Sequence, residues 1–214
     1  MDGLMMDFPL TLTHLLRRAE QFFGSGEIVT RLPDKSFHRY TYADSCRRSR
    51  ALAVALQNLG LERGDRVATL CWNHYQHHEA YLGIPCGGSV LHTLNLRLHP
   101  SDLAYIATHG GDRAVIVDRS LKPLLDQFVG DTKIEHVIVV EDDYEGFLSA
   151  ADPDDWRDPE LDPRSAAASD LELLLVKRVL EGAPVLDGLG GPEAGETLDD
   201  LRAAGILLGA PSRA

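Results

Sequence analysis

The sequence has few cysteines: Cys46, Cys71 and Cys86, three in 214 residues, with no Cys-x-x-Cys pair. An odd, unpaired set excludes a disulfide framework and suits free thiols in a reducing compartment. No run of about 18 apolar residues occurs, so the pattern holds no membrane-spanning helix. The opening MDGLMMDFPLTL has no basic segment leading into an apolar one, so no secretory signal is read from it. A cytoplasmic protein is the resulting expectation. Positive charge is also short: 21 Lys and Arg face 33 Asp and Glu, a net charge of −12. That balance argues against nucleic acid and anionic membrane as partners. No aromatic residue follows Trp156. Aromatics supply the largest buried areas in a core, so residues 165–214 are not expected to fold as an independent domain.

What is present is organised around Gly64–Asp118. Short apolar runs (Val67–Trp72, Ser89–Leu94, Ala114–Val117) alternate with helix-like segments (His74–Ile84, Pro100–Thr108). Near-continuous apolarity in short runs marks strands covered on both faces. The alternation predicts a parallel sheet with right-handed crossovers. His136–Val140 adds a fourth strand. The fold class is therefore α/β, a partial doubly wound parallel sheet with helices on both faces. Ahead of it, the pattern predicts a helix over Leu10–Phe23 and a hairpin of Glu27–Leu32 with Phe37–Tyr42. Thr41 and Asp44 have capping-box spacing, and Leu52, Leu56 and Leu59 mark the helix behind them. Arg47, Arg48 and Arg50 are expected on its solvent side. Asn73 and Ser120 are placed to cap the helices that follow them.

Three constellations are candidates for chemistry. Gly190–Thr197 has the spacing of a phosphate loop, but Glu196 stands where the motif needs Lys and Pro192 removes a backbone donor. A flexible glycine-rich loop is the plainer reading. Cys71, His74, His77 and His78 are zinc-type ligands, yet Cys71 falls in the predicted strand, which breaks a shared helix face; His92 or His99 would have to complete a set. The plainer reading is a helix start with its imidazoles at solvent or beside Trp72. Cys46 sits beside Arg47 and Arg48, which would depress a thiol's pKa, but a lone cysteine on a helix is ordinarily packing. Glu141–Asp162 carries ten carboxylates against Arg157 alone, the pattern of a solvated linker, with a metal-binding acidic patch as the alternative.

Several segments, in order and at matching spacing, carry a resemblance. They are Tyr40–Asp44, Leu59–Ala68, Trp72-Asn-His-Tyr75 with Glu79-Ala-Tyr81, Gly87–Pro100, Asp102–Ile106 and Ala114–Asp118. Together they resemble the N-terminal region of AMP-forming acyl-CoA synthetases, of the adenylate-forming ligase superfamily. Trp72–Tyr75 and Leu91–Asn95 look like the fatty-acid branch. The likeness covers roughly residues 8–162. It implies a ligase that activates a fatty-acid-type carboxylate with ATP and then transfers the acyl group to coenzyme A, with Mg as the accompanying ion. The family's phosphate loop, of the form Thr-Ser-Gly-Thr-Thr-Gly-x-Pro-Lys-Gly, is expected soon after Leu161, where this chain has Pro163-Arg-Ser-Ala-Ala-Ala-Ser-Asp170. The resemblance therefore carries no catalytic, cofactor-binding or metal-binding residue onto any position here. Three divisions are expected: residues 1–151 as the α/β subdomain, 152–164 as an acidic Pro-rich linker packed poorly on the sheet, and 165–214 as an atypical tail. The functional expectation is a ligase fragment, inactive alone, cut short by a stop or frame shift. The alternative is a small non-catalytic binding or interaction module derived from that family. A homodimer is left open.

Overall fold

The computed structural model describes residues 11–159. The tail 165–214 with its Gly190–Thr197 loop lies outside the described residues. Helix α1 (Leu12–Phe23) leads into a hairpin of β1 (Glu27–Arg31) and β2 (Phe37–Thr41), paired antiparallel with Glu27 opposite Thr41. Lys35 turns that hairpin with φ +72°, an uncommon conformation for a residue with a side chain. Helix α2 (Tyr42–Asn58) starts at the expected capping box: the Asp44 N–H donates to Thr41 Oγ1, and the Thr41 N–H donates to the Asp44 carboxylate.

The central sheet is parallel throughout, in the order β4-β3-β5-β6. Its strands are β3 (Arg66–Leu70), β4 (Val90–Thr93), β5 (Asp112–Val117) and β6 (His136–Val139). The crossovers carry α3 (Tyr75–Cys86), α4 (Pro100–Gly110) and the short α5 (Lys122–Leu125); α6 (Tyr144–Ser149) follows β6. Alternate strand residues face opposite ways, and both faces are dry. Val67, Ala114, Ile116 and Ile138 meet α2, α3 and α6 through Leu52, Leu56, Ala80, Ile84 and Tyr144. Ala68, Leu70, Val115 and Val117 meet Leu103, Leu125 and Phe128 on the other side. Covering on both faces is why these runs read as continuous rather than alternating apolarity.

Helix α2 is buried twice over. One side rests on the sheet, and the other forms a third cluster with Leu16 of α1, Cys86 and Trp156. Gly83 of α3 sits against it so closely that a Cβ there would lie 2.6 Å from the Ser49 carbonyl oxygen. Two expectations fail here. Arg48 is not on a solvent face: its Nε donates to Glu79 at 2.7 Å and its two terminal nitrogens to Glu145 at 2.8 and 2.7 Å. Arg50 likewise reaches Glu20 at 2.9 Å. Both arginines turn inward because α1, α3 and α6 pack over the side that helical spacing alone left to water. The caps also move. His74, not Asn73, caps α3, its Nδ1 accepting the His77 N–H, and Ser120 lies in a short 3-10 turn with no side-chain cap bond.

Residues 152–159 do not hang off the sheet as expected of a linker. Trp156 is 9 % exposed, and its indole N–H donates to the Cys86 carbonyl at 2.8 Å. Arg17 and Arg50 lie over its ring at 5.5 and 5.3 Å. Asp158 pairs with Arg17 at 3.0 Å. The first compact unit closes at Pro159.

Glu79 is fully buried, bonded to Arg48 and to the Tyr144 hydroxyl at 3.0 Å. Burial pushes its pKa up; Arg48 and Tyr144 pull the other way. Arg48→Met leaves that carboxylate without its cation and should cost about 3–5 kcal/mol at neutral pH, read from urea unfolding. Lowering the pH protonates the stranded group, so the penalty should shrink, and adding Glu79→Gln should recover part of it. A Met variant as stable as the parent, or a penalty that grows in acid, would refute this ionic role.

Candidate functional site

Chain order and sheet order disagree between β3 and β5. From β3 the chain leaves toward β4, and from β5 toward β6, so a crevice opens at the carboxyl ends of the two central strands. Open parallel sheets bind their ligands at such a switch point. A cavity of about 570 Å³ lies there, within the range of small-molecule sites. The loop after β3 supplies Trp72, Asn73, His74 and the nearby Gln76; the loop after β5 supplies Asp118 and Ser120. Val140 and Glu141 follow β6, and Arg31, Leu32, Pro33 and Lys35 come from the hairpin.

Asp118 organises the crevice. It is 3 % exposed, and its Oδ2 accepts the Trp72 N–H at 2.7 Å. Its Oδ1 meets His74 Nε2 at 2.7 Å. Since His74 Nδ1 accepts the His77 N–H at 3.2 Å, the neutral ring carries its proton on Nε2 and donates it to Asp118. Burial works against the Asp118 charge, but the bonds from His74 and the Trp72 N–H outweigh it and hold the carboxyl below its ordinary value. Trp72 is 52 % exposed, its indole N–H donating to Ser120 Oγ at 3.1 Å. One broad aromatic face is thus left at the mouth.

The candidates read from the sequence separate here. Cys71, just past the end of β3, and His74 come together with Asp118, their ligand atoms within 4.8 Å of one another. His77 is excluded from that group: its ring bonds the Trp72 carbonyl and Thr69 Oγ1, both at 3.1 Å. His78 is exposed on α3, His92 bonds Asp112 at 2.8 Å, and His99 is the cap of α4. Asp118 is the residue that spacing could not find, since it lies far along the chain; its one signal was a charged residue directly after the run Ala114–Val117. Cys46 fails as a nucleophile. It is 2 % exposed, and burial raises its thiol pKa despite the arginines beside it. Cys86 is also buried, its thiol pushed up to about 12 by desolvation.

The model of the AMP-binding enzyme family matches residues 17–175. The chain belongs to the AMP-binding enzyme family. A long-chain-fatty-acid–CoA ligase of Thermus thermophilus is 44% identical over 147 residues, 68% of this chain and 27% of that protein. A medium-chain-fatty-acid–CoA ligase of Ectopseudomonas oleovorans is 32% identical over 130 residues, 61% of this chain and 24% of that one. Among solved structures, a benzoate CoA ligase from Burkholderia xenovorans superposes with a TM-score of 0.59 at 26% identity, over 68% of this chain and 29% of that chain. A fatty acyl CoA synthetase of Mycobacterium tuberculosis gives 0.60 at 22% identity, over 71% and 30%, and shows likeness of fold. The chain spans about a quarter of the length of the curated relatives it matches.

The crevice depends on Asp118 as an acceptor. Asp118→Ala leaves the Trp72 N–H unpaired and should cost about 1–3 kcal/mol in urea unfolding. Asp118→Asn keeps one oxygen for that N–H and should cost measurably less. Equal losses in the two variants would show that the acceptor is not what holds the loop.

Proposed function

We propose that this chain is the N-terminal α/β part of an AMP-forming fatty-acyl-CoA ligase, and that the 214 residues alone do not catalyse. The observation that carries this reading is the 44% identity over 147 residues to a long-chain-fatty-acid–CoA ligase. A four-stranded parallel sheet whose matches in solved structures are CoA ligases supports it. In the complete reaction a fatty-acid-type carboxylate is activated by ATP, with Mg, to an acyl-adenylate and passed to coenzyme A. A homodimer and a cytoplasmic setting belong to the same reading; among the described residues no helix is long and apolar enough to cross a membrane.

The described residues do not fit a triphosphate. Arg31 and Lys35 reach the switch-point cavity, but Asp118 and Glu141 line it too, and no Gly/Ser/Thr/Lys loop is present in residues 11–159. Electrostatic stabilisation is ordinarily the largest catalytic contribution, and losing one donor costs about 10²–10³ in rate. With no such cradle among the described residues, no step is assigned to them. What they supply is a rigid sheet and an open crevice with an aromatic face, suited to binding and positioning.

A purified 214-residue chain should show no fatty-acid-dependent ATP–pyrophosphate exchange. Grafting residues 11–159 in place of the aligned segment of the Thermus thermophilus ligase should give a chimaera that retains exchange. A folded chimaera without activity would favour a non-catalytic binding module derived from the family. Exchange by the isolated chain would show that the chemistry has been misplaced.

A further inference from the structure

We propose that Cys71, His74 and Asp118 form a site for a zinc-type divalent metal ion at the switch point of the sheet, with a fourth position open to the cavity. The inference stands on the geometry of these three side chains and not on the ligase reading. A thiol, an imidazole and a carboxylate are the donor types of zinc sites, and three protein ligands with one open position is the catalytic rather than the structural pattern. The sulfur makes the set a poor match for Mg, which prefers oxygen and water.

Asp118 is held from behind, while His74 and Cys71 must each release a partner to bind. Asp118 Oδ2 is fixed by the Trp72 N–H at 2.7 Å, leaving Oδ1 facing His74. The His77 N–H orients the His74 ring at Nδ1 in the free site, and that bond is given up when Nε2 binds an ion. Cys71 donates a 3.4 Å bond to the Ile116 carbonyl and also meets Asp118; burial and that carboxylate favour the thiol, so a metal ion must displace its proton and draw the sulfur from the carbonyl. The three ligand atoms lie within 4.8 Å of one another. Metal bonds of about 2.0–2.3 Å would require the sulfur to move in, and His74 Nε2 and Asp118 Oδ1, now 2.7 Å apart, to open and admit the ion. His74 and Asp118 both line the 570 Å³ cavity, so a water or small ligand reaches the fourth position from there.

The proton balance is definite. Without metal, Cys71 is a thiol and His74 carries its proton on Nε2. On binding, sulfur forms a bond to the metal and its proton leaves to solvent. The Nε2 proton is exchanged through solvent for one on Nδ1, freeing Nε2 to bond the ion. Asp118 gives up the His74 bond for the metal. One proton is released, and the charges of ion, thiolate and carboxylate sum to zero. Nδ1, now protonated, no longer accepts the His77 N–H, so metal binding uncaps α3.

The test is a titration of the full chain with Zn²⁺ and with Co²⁺. One ion should bind, with about one proton released in calorimetry across buffers of different ionisation enthalpy. Co²⁺ should show a thiolate-to-metal charge-transfer band. The His77 amide should exchange faster in the Zn²⁺ form. Cys71→Ser should abolish the band. His74→Asn keeps a good capping residue, so α3 should stay intact while affinity falls more than the roughly 10–100-fold typical of outer-shell changes. Absence of saturable binding would overturn the proposal. So would binding that survives in both variants, which would place the ion on surface histidines, or binding with no thiolate band.

Discussion

Glu79 is a carboxylate with no exposed surface, and the Arg48 guanidinium that meets it joins α2, α3 and α6 in one step. The close approach of α2 and α3 shapes this arrangement. Gly83 lets α3 come up against the α2 backbone, and that contact seals water out of the space where Glu79 lies. A charge sealed in this way needs both a cation and hydrogen bonds. Arg48 and the Tyr144 hydroxyl supply them. Because Arg48 also holds Glu145 at the surface, burial opposes its charge less than the two carboxylates favour it. The pair therefore acts as a registration point: α2, which has core on two sides, can slide along neither.

Most of the fold was legible because its signals are local. The capping box at Thr41 and Asp44 needs four residues, the strand runs need four to six, and each lies within a residue or two of its expected ends. What was not legible depends on which surfaces meet. Arg48 and Arg50 fell on the polar side of α2 by spacing, but α1 and α6 cover that side. The acidic segment before Pro159 has a linker's charge. Trp156 overrides that charge by closing the third cluster, with its N–H satisfied at Cys86 and two guanidiniums over its ring. The site was half legible. Cys71 and His74 were visible as a pair of donors, but a shared helix face is not what gathers them. The sheet instead brings Asp118 across from the neighbouring strand.

The two ends of the sheet are built differently, and that difference marks the carboxyl ends as the candidate site. At the amino ends the strands are clasped by charge. Arg113 of β5 reaches Asp65, just before β3, at 2.6 Å and Glu135, just before β6, at 2.8 Å, and also the Gly60 carbonyl at 3.3 Å. Its neighbour Asp112, fully buried, holds His92 of β4. Two consecutive residues of β5 thus tie the amino ends of β3 and β6 and reach His92, the third residue of β4. The loops at the other end can then carry polar groups that do not serve the fold as a whole. At the carboxyl ends the groups are short and converge on a cavity: Asp118 bonds one loop amide and one imidazole, Trp72 is left half exposed, and Ser120 holds its indole. Function built on loops needs a scaffold that does not depend on them. In this sheet, the ionic contacts at the amino ends leave the loops of the open end available for the candidate site.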